Sequence, residues 1–198
     1  MSAADSNRPA IGVLAVQGAF AEHLAMLDRL KADGFEIRCS SDLERPMDGL
    51  ILPGGESTVM GRLLRELRLF GPLQSMIRGG LPVFGTCAGL ILLARQISND
   101  PAVYFGEMDI TAVRNAYGRQ LGSFSTTAEF EGLGEFPMVF IRAPYIAAAG
   151  PGVRVLATVD GHIVAAREKN RLVTAFHPEL TGDVRVHELF LRMVRGEG

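Results

Sequence analysis

The sequence is poor in cysteine and in lysine, and it has no large excess of charge of either sign. Two cysteines, Cys39 and Cys87, allow one pairing at most, which excludes a disulfide-built scaffold. Of the 20 basic residues only Lys31 and Lys169 are lysine and the other 18 are arginine, so chemistry that needs an amine has few candidates. The formal net charge of −2 gives the chain as a whole no attraction for nucleic acid or an anionic membrane. Long apolar runs are missing too. The longest stretch without a charge, residues 79–94, contains Pro82 and four glycines and does not read as a membrane span. The apolar run at residues 11–16 is too short for a signal peptide and lacks a basic leader. There is no internal repeat and no low-complexity tract. Zinc-binding spacing such as H-E-x-x-H or C-x-x-C is absent, as are a phosphate loop and a dinucleotide fingerprint. No metal site and no cofactor are expected. What is present is ordinary globular usage, 47% hydrophobic and 21% charged over 198 residues, enough for one core. A soluble cytoplasmic protein is the expectation.

The pattern of apolar residues sets the organisation. Residues 1–9 read as a polar tail and residues 10–198 as one domain. A strand over 11–16 is broken by Gln17-Gly18. Phe20, Leu24, Leu27 and Leu30 then recur at helical steps over 19–33, with Gly34 placed to end the helix. Strands follow at 35–39, which takes in Cys39, and at 49–52. A helix over 59–69, a strand at 81–84 and a helix over 88–96 complete the first half. This alternation, with strands that read as continuous apolar runs, is that of a parallel sheet buried on both faces. The second half reads as shorter strands at 108–113, 123–129, 138–141, 153–159, 162–166 and 172–176, with Asp160-Gly161 as a hairpin turn and a closing helix over 184–194. The expected fold is a single-domain three-layer α/β/α structure with a central mixed, mostly parallel sheet.

Three segments at predicted strand ends could carry chemistry. Gly85-Thr86-Cys87-Ala88-Gly89 lies where a buried strand should meet a helix. It has the G-x-nucleophile-x-G form of a nucleophile elbow, in which small neighbours let strand and helix approach around a strained tip residue. A cysteine at a helix N-terminus gains thiolate character from the macrodipole, and the Ala88 N–H that follows would point toward an oxyanion. The bland alternative for Cys87 is a small buried hydrophobe. In Phe176-His177-Pro178-Glu179, an extended segment would put His177 and Glu179 on one side, as a base and its orienting carboxylate; a loop histidine capping a neighbour is the alternative. Pro53-Gly54-Gly55-Glu56-Ser57 ends the third strand, where Gly54 and Gly55 could bring bare N–H groups to a ligand as oxyanion donors and Ser57 could cap the next helix. His23, His162 and His187 are scattered, with His23 and His187 read as surface or packing residues.

With these segments in place the chain resembles the class I (triad) glutamine amidotransferases, whose fold is flavodoxin-like. Within them it is most similar to the glutaminase subunits of pyridoxal phosphate synthases. The likeness rests on Gly12-Val-Leu-Ala-Val-Gln-Gly18, Leu52-Pro-Gly-Gly-Glu-Ser-Thr58 and the stretch from Phe84 to Ala94. It continues through Arg114-Asn115, Phe140-Ile-Arg-Ala-Pro144 and Ala175-Phe-His-Pro-Glu-Leu-Thr181, so it spans nearly the whole chain. Val16, where leucine is expected, and Tyr145 are small departures outside the proposed triad.

The resemblance implies Cys87 as nucleophile, His177 as base and Glu179 as its orienter. It implies that Gly55, Glu56, Ser57, Arg114, Ile141 and Arg142 contact L-glutamine; guanidinium is a matched partner for the α-carboxylate. The implied reaction is hydrolysis of glutamine to glutamate and ammonia through a cysteinyl thioester. The implied acceptor of the ammonia is the barrel-shaped synthase subunit in a large hetero-oligomer, for vitamin B6 biosynthesis. The shortage of lysine fits a chain that leaves imine chemistry to that partner. The isolated chain is expected to be a poor glutaminase, activated when the partner orders Gly54-Gly55. Competing readings are a glutaminase for another acceptor such as imidazole glycerol phosphate synthase, a cysteine peptidase or thiol-stress protein on a related fold, and a non-catalytic binding chain.

Overall fold

In the computed structural model, residues 8–98, 100–114 and 122–197 are described. Most of the expected tail lies outside them, as does Asn115. The chain runs β1 (Ala10–Leu14), α1 (Phe20–Arg29), β2 (Asp33–Ile37), β3 (Gly49–Leu52), α2 (Ser57–Glu66) and α3 (Phe70–Arg78). Next come β4 (Val83–Thr86), α4 (Ala88–Leu93), β5 (Ala94–Ile97), β6 (Met108–Val113), β7 (Ser123–Phe130) and β8 (Gly134–Ile141). The last elements are β9 (Tyr145–Ala149), β10 (Arg154–Val159), β11 (His162–Glu168), β12 (Arg171–Thr174) and α5 (Arg185–Val194).

The strands form one mixed sheet in the order β2-β1-β3-β4-β12-β11-β10-β7-β8, with β5, β6 and β9 branching from β11 through β9. The five strands from β2 to β12 are all parallel. From β12 outward the pairing along that order is antiparallel. Residues of β1, β3 and β4 are almost wholly buried, because helices cover both faces: α1 and α5 meet on one, and α2, α3 and α4 pack together on the other. The order of chain departure reverses between β1 and β3, and such a switch point opens a crevice at the carboxyl ends of the strands.

Several element boundaries depart from the sequence reading. The first helix ends at Arg29, well before Gly34. Lys31 takes a left-handed conformation (φ 57°), its N–H bonds to Asp28 O, and Ala32 N–H reaches back to Leu27 O, the Schellman pattern without its usual glycine. Gly34 instead lies in β2, where a β-carbon would press against Leu24 and Leu27 at 3.0 Å. That strand stops at Ile37, so Cys39 is not a strand residue; it is exposed and precedes a short 3-10 turn over Ser40–Glu44. The second helix likewise ends early, with Arg68 at φ 57° and Leu69 N–H bonded to Leu64 O, and a further helix, α3, follows it. Pro72 sits in the first turn of α3, where its missing N–H would have no helical partner anyway. α4 stops at Leu93, and the residues after it pair with β6 as β5.

The second half is closer to expectation. Asp160 (φ 50°) and Gly161 (φ 79°) form the two-residue turn between Val159 and His162. β8 extends back to Gly134 and accommodates Pro137 because it is an edge strand.

Candidate active site

Two adjacent parallel strands deliver the chemistry-bearing residues to one end of the sheet. β4 and β12 pair in register, Thr86 opposite Thr174, so Cys87 and the segment after Thr174 emerge side by side. The Cys87 N–H bonds to Thr174 O at 2.8 Å, and the turn from β4 into α4 holds Cys87 at φ 48°, ψ −99°. That is a strained setting for a residue with a β-carbon. The elbow is possible because its flanks are bare: a β-carbon on Gly85 would lie 2.7 Å from Gly89 O, and one on Gly89 would lie 2.0 Å from Leu52 O.

The strand β12 ends, Phe176 enters the core, and the His177 N–H bonds to Val139 O of β8 at 2.8 Å. His177 and Glu179 do not share one extended segment, which the i, i+2 spacing requires. They flank the start of a 3-10 turn over Pro178–Leu180, and the turn brings His177 Nδ1 within 2.6 Å of Glu179 Oε1. Both are buried. Burial alone would lower the imidazole pKa, but hydrogen bonding to Cys87 and to Glu179, with the charges of both, more than offsets it and raises His177 to about 10. His177 therefore carries a proton at neutral pH, between two acidic partners.

Across from this pair, the loop after β3 is clamped by the end of β1. Ala19 N–H bonds to Gly54 O at 3.0 Å, and the Gln17 carboxamide oxygen accepts from Glu56 N–H at 2.8 Å. Gly54 lies directly against the His177 ring. The cap of α2 is Glu56, not Ser57: its carboxylate accepts from Thr58 N–H at 3.1 Å and Val59 N–H at 2.8 Å. A longer acidic side chain does here what serine does elsewhere, with the helix dipole favouring its charge. Burial opposes ionisation of Glu56, but the Val59 and Thr58 N–H groups and then Arg114 outweigh it and hold the carboxyl below its usual range. Ser57 is buried in the first turn.

Arg114 is not freely solvated. Its guanidinium reaches Asp100 at 2.9 Å, Thr58 Oγ1 at 3.0 Å and Glu56 at 3.3 Å, so its position is set from three sides. Ile141, at the end of β8, and Arg142 after it are exposed, with Arg142 in a left-handed conformation at φ 44°. Gly54, Gly55, Glu56, Ser57, Cys87, Ala88, Arg114, Ile141, Arg142 and His177 all line one cavity of about 350 Å³; Glu179 stands behind His177. Sequence reasoning singled out neither Gln17 nor Asp100, which hold Glu56 and Arg114 in place. The position of Gln17 at the carboxyl end of β1, beside the switch point, is the signal that could have found it. Among the described residues no group of three or more His, Cys, Asp or Glu is arranged to hold a metal ion.

This arrangement has the parts of a thiol acyl-transfer site, and the comparisons identify the family. The model of the SNO glutamine amidotransferase family matches residues 13–196. The chain belongs to the SNO glutamine amidotransferase family. It is 62% identical over 187 residues to the "Pyridoxal 5'-phosphate synthase subunit PdxT" of Methanocorpusculum labreanum, covering 94% of this chain and 98% of that protein. The protein of the same name from Streptococcus pneumoniae is 55% identical over 188 residues, 93% of this chain and 97% of the relative. Among solved structures, one described as a glutamine amidotransferase superposes with a TM-score of 0.88 at 43% identity, over 93% of this chain and 98% of that one. A glutamine amidotransferase from Thermotoga maritima, at 12% identity and TM-score 0.62 over 96% of this chain and 92% of that one, shares the fold alone. The single-domain α/β amidotransferase architecture read from the sequence is thus the observed one. No helix among the described residues is long and apolar enough to cross a membrane.

Proposed function

We propose that this chain is the glutaminase subunit of a pyridoxal 5′-phosphate synthase, with Cys87, His177 and Glu179 as its triad. The observation that carries the reading is His177, bonded to a buried carboxylate and lining one cavity with the elbow cysteine Cys87, in a chain 62% identical to a protein of that name. The Cys87 thiolate attacks the side-chain amide carbon of L-glutamine, and the carbonyl oxygen takes up the negative charge. N–H groups of the Gly54-Gly55 loop and of Ala88 receive that oxyanion; one such donor is typically worth about 100- to 1000-fold in rate. His177, protonated beforehand, gives its proton to the departing nitrogen, and ammonia leaves a glutamyl thioester on Cys87. His177 then takes a proton from water, the hydroxide attacks the thioester, and glutamate and the thiolate are released. Glu179 keeps Nδ1 of the ring occupied, so the other nitrogen faces the sulfur.

Arg114, fixed by Glu56 and Asp100, and Arg142, which lines the same cavity, are guanidinium groups suited to the α-carboxylate of glutamine. Gly55, Glu56, Ser57 and Ile141 complete its surroundings. Ammonia released into water at neutral pH is mostly ammonium and a poor nucleophile, so the product is passed to a synthase subunit docked over the site. The test is glutamate release by the purified chain with and without its cognate synthase partner. Activation by the partner, and loss of glutamine-dependent but not ammonia-dependent pyridoxal phosphate formation in Cys87→Ala, are the expected results. Equal use of both nitrogen sources by Cys87→Ala would remove Cys87 from the mechanism.

A further inference from the structure

Behind the triad lies a second pair of buried imidazoles. His23 on α1 and His187 on α5, read from sequence as surface or packing residues, are both fully buried. His23 Nδ1 is 2.9 Å from His187 Nε2. On its other side His23 Nε2 is 3.2 Å from Thr86 Oγ1 and 3.6 Å from Glu179 Oε2. Thr86 is the residue before Cys87, and Glu179 holds His177. One imidazole therefore touches both segments that build the triad.

The protons on the two rings can be assigned. Burial, and then the neighbouring His187 and His177, push the His23 pKa well below its usual value; burial, and then Arg29, lower His187 to about 3. Both rings are neutral, so each has one donor and one acceptor nitrogen. If His23 Nδ1–H donated to His187, the His187 proton would sit on Nδ1, which is buried without a partner. His23 would also turn a lone pair toward the Glu179 carboxylate. A Thr86 hydroxyl proton could satisfy that lone pair, but Glu179 Oε2, which has no hydrogen-bond partner of its own, would still face no donor. If His187 Nε2–H donates to His23 Nδ1, the first fault vanishes and the second is eased. The orphan at His187 becomes a bare acceptor, and His23 Nε2–H points its proton at Thr86 and Glu179. A buried unmade donor and an uncompensated carboxylate oxygen are each costly, so the second arrangement is the stable one.

We propose that His23 is a positioning residue of the reaction: as the Nε2–H tautomer, oriented by His187, it fixes the second carboxylate oxygen of Glu179 and through it the aim of the His177 ring at Cys87. The contact at 3.6 Å is longer than a full hydrogen bond and works as a charge–dipole interaction. The proposal rests on the triad reading given above.

The test uses the full chain with its synthase partner. His23→Leu is expected to lower kcat about tenfold, the factor for one lost interaction with a charged group, with KM for glutamine within about twofold. His23→Gln, whose amide nitrogen falls near the place of the imidazole Nε2, is expected to recover most of that loss. Wild-type kcat in His23→Leu, or equal loss in both variants, overturns the proposal. Nitrogen-15 NMR of the unmutated chain, which needs no variant to fold, should show Nε2–H tautomers at His23 and His187; an Nδ1–H tautomer at either overturns it as well. Cys87→Ala separates the two levels. If it still hydrolyses glutamine, the triad reading falls and the proposal with it. If only Cys87→Ala is inactive and His23→Leu is unimpaired, the proposal alone falls.

Discussion

Gly54 has no room for a side chain because the His177 ring occupies it: a β-carbon there would lie 2.2 Å from Cε1 and 2.9 Å from Nδ1. The loop that is to hold the oxyanion and the base that is to move the proton are thus in direct van der Waals contact. Gly54 is not among the residues with positive φ, so alanine suits its backbone and the whole conflict falls on the ring. Gly54→Ala is expected to fold with a lowered Tm, because the displaced ring is buried and bonded to Glu179, and to lose about 100-fold in kcat for glutamine hydrolysis, the scale of a one-ångström misplacement. A variant with wild-type kcat would show that the ring is free to shift without loss.

His177 predicts a pH dependence of stability with a definite sign. Its pKa in the folded chain is about 10, above the ordinary 6.5 of an unfolded histidine. The folded state therefore binds the proton more tightly. The stability this supplies is fully present below pH 6.5, declines as pH rises, and is gone once pH passes about 10. Urea unfolding of wild type and of His177→Gln should show a gap that is widest near pH 6 and closes toward pH 10. A gap that grows with pH would mean that the ring is neutral in the folded protein.

How much of this was legible in the sequence depends on whether a feature is local. Gly85 and Gly89 announced the elbow because close approach of strand and helix forbids β-carbons there. Asp160-Gly161 announced its hairpin because both positions need positive φ. The alternating apolar runs gave the parallel core for the same reason: burial on both faces leaves no polar side. What the sequence hid depends on distant partners. Glu56, not Ser57, caps α2 because Arg114 and the Gln17 carboxamide hold the loop from elsewhere in the chain. Residues 94–97 form a strand only because β6 is there to pair with them. Tyr145–Ala149, rich in alanine, has no strand signal of its own and is held between β6 and β11. His23 and His187 lie in helices whose periodicity says only that one face is buried, not that two buried faces meet behind a carboxylate.

Cys87 carries a stored backbone strain that a pair of variants can measure. Its φ of 48° with ψ of −99° lies outside even the left-handed helical basin, in a region that glycine alone enters without cost. The conformation is pinned by the Cys87 N–H bond to Thr174 O at 2.8 Å and by the Cys87 carbonyl, which accepts from Ile91 N–H at 3.4 Å. Cys87→Ala and Cys87→Gly both remove the thiol, so they differ only in the methyl group that the strained backbone must tolerate. Relief of such strain is worth about 1–3 kcal/mol, and the extra unfolded-state freedom of glycine takes back about 0.5–1 kcal/mol. Cys87→Gly is therefore expected to unfold at a higher urea midpoint than Cys87→Ala, corresponding to about 1 kcal/mol of added stability at equal m-value. Equal midpoints would mean that the elbow relaxes when its thiol is removed, and that the strain belongs to the sulfur's contacts with His177 and the Ile141 carbonyl rather than to the turn itself.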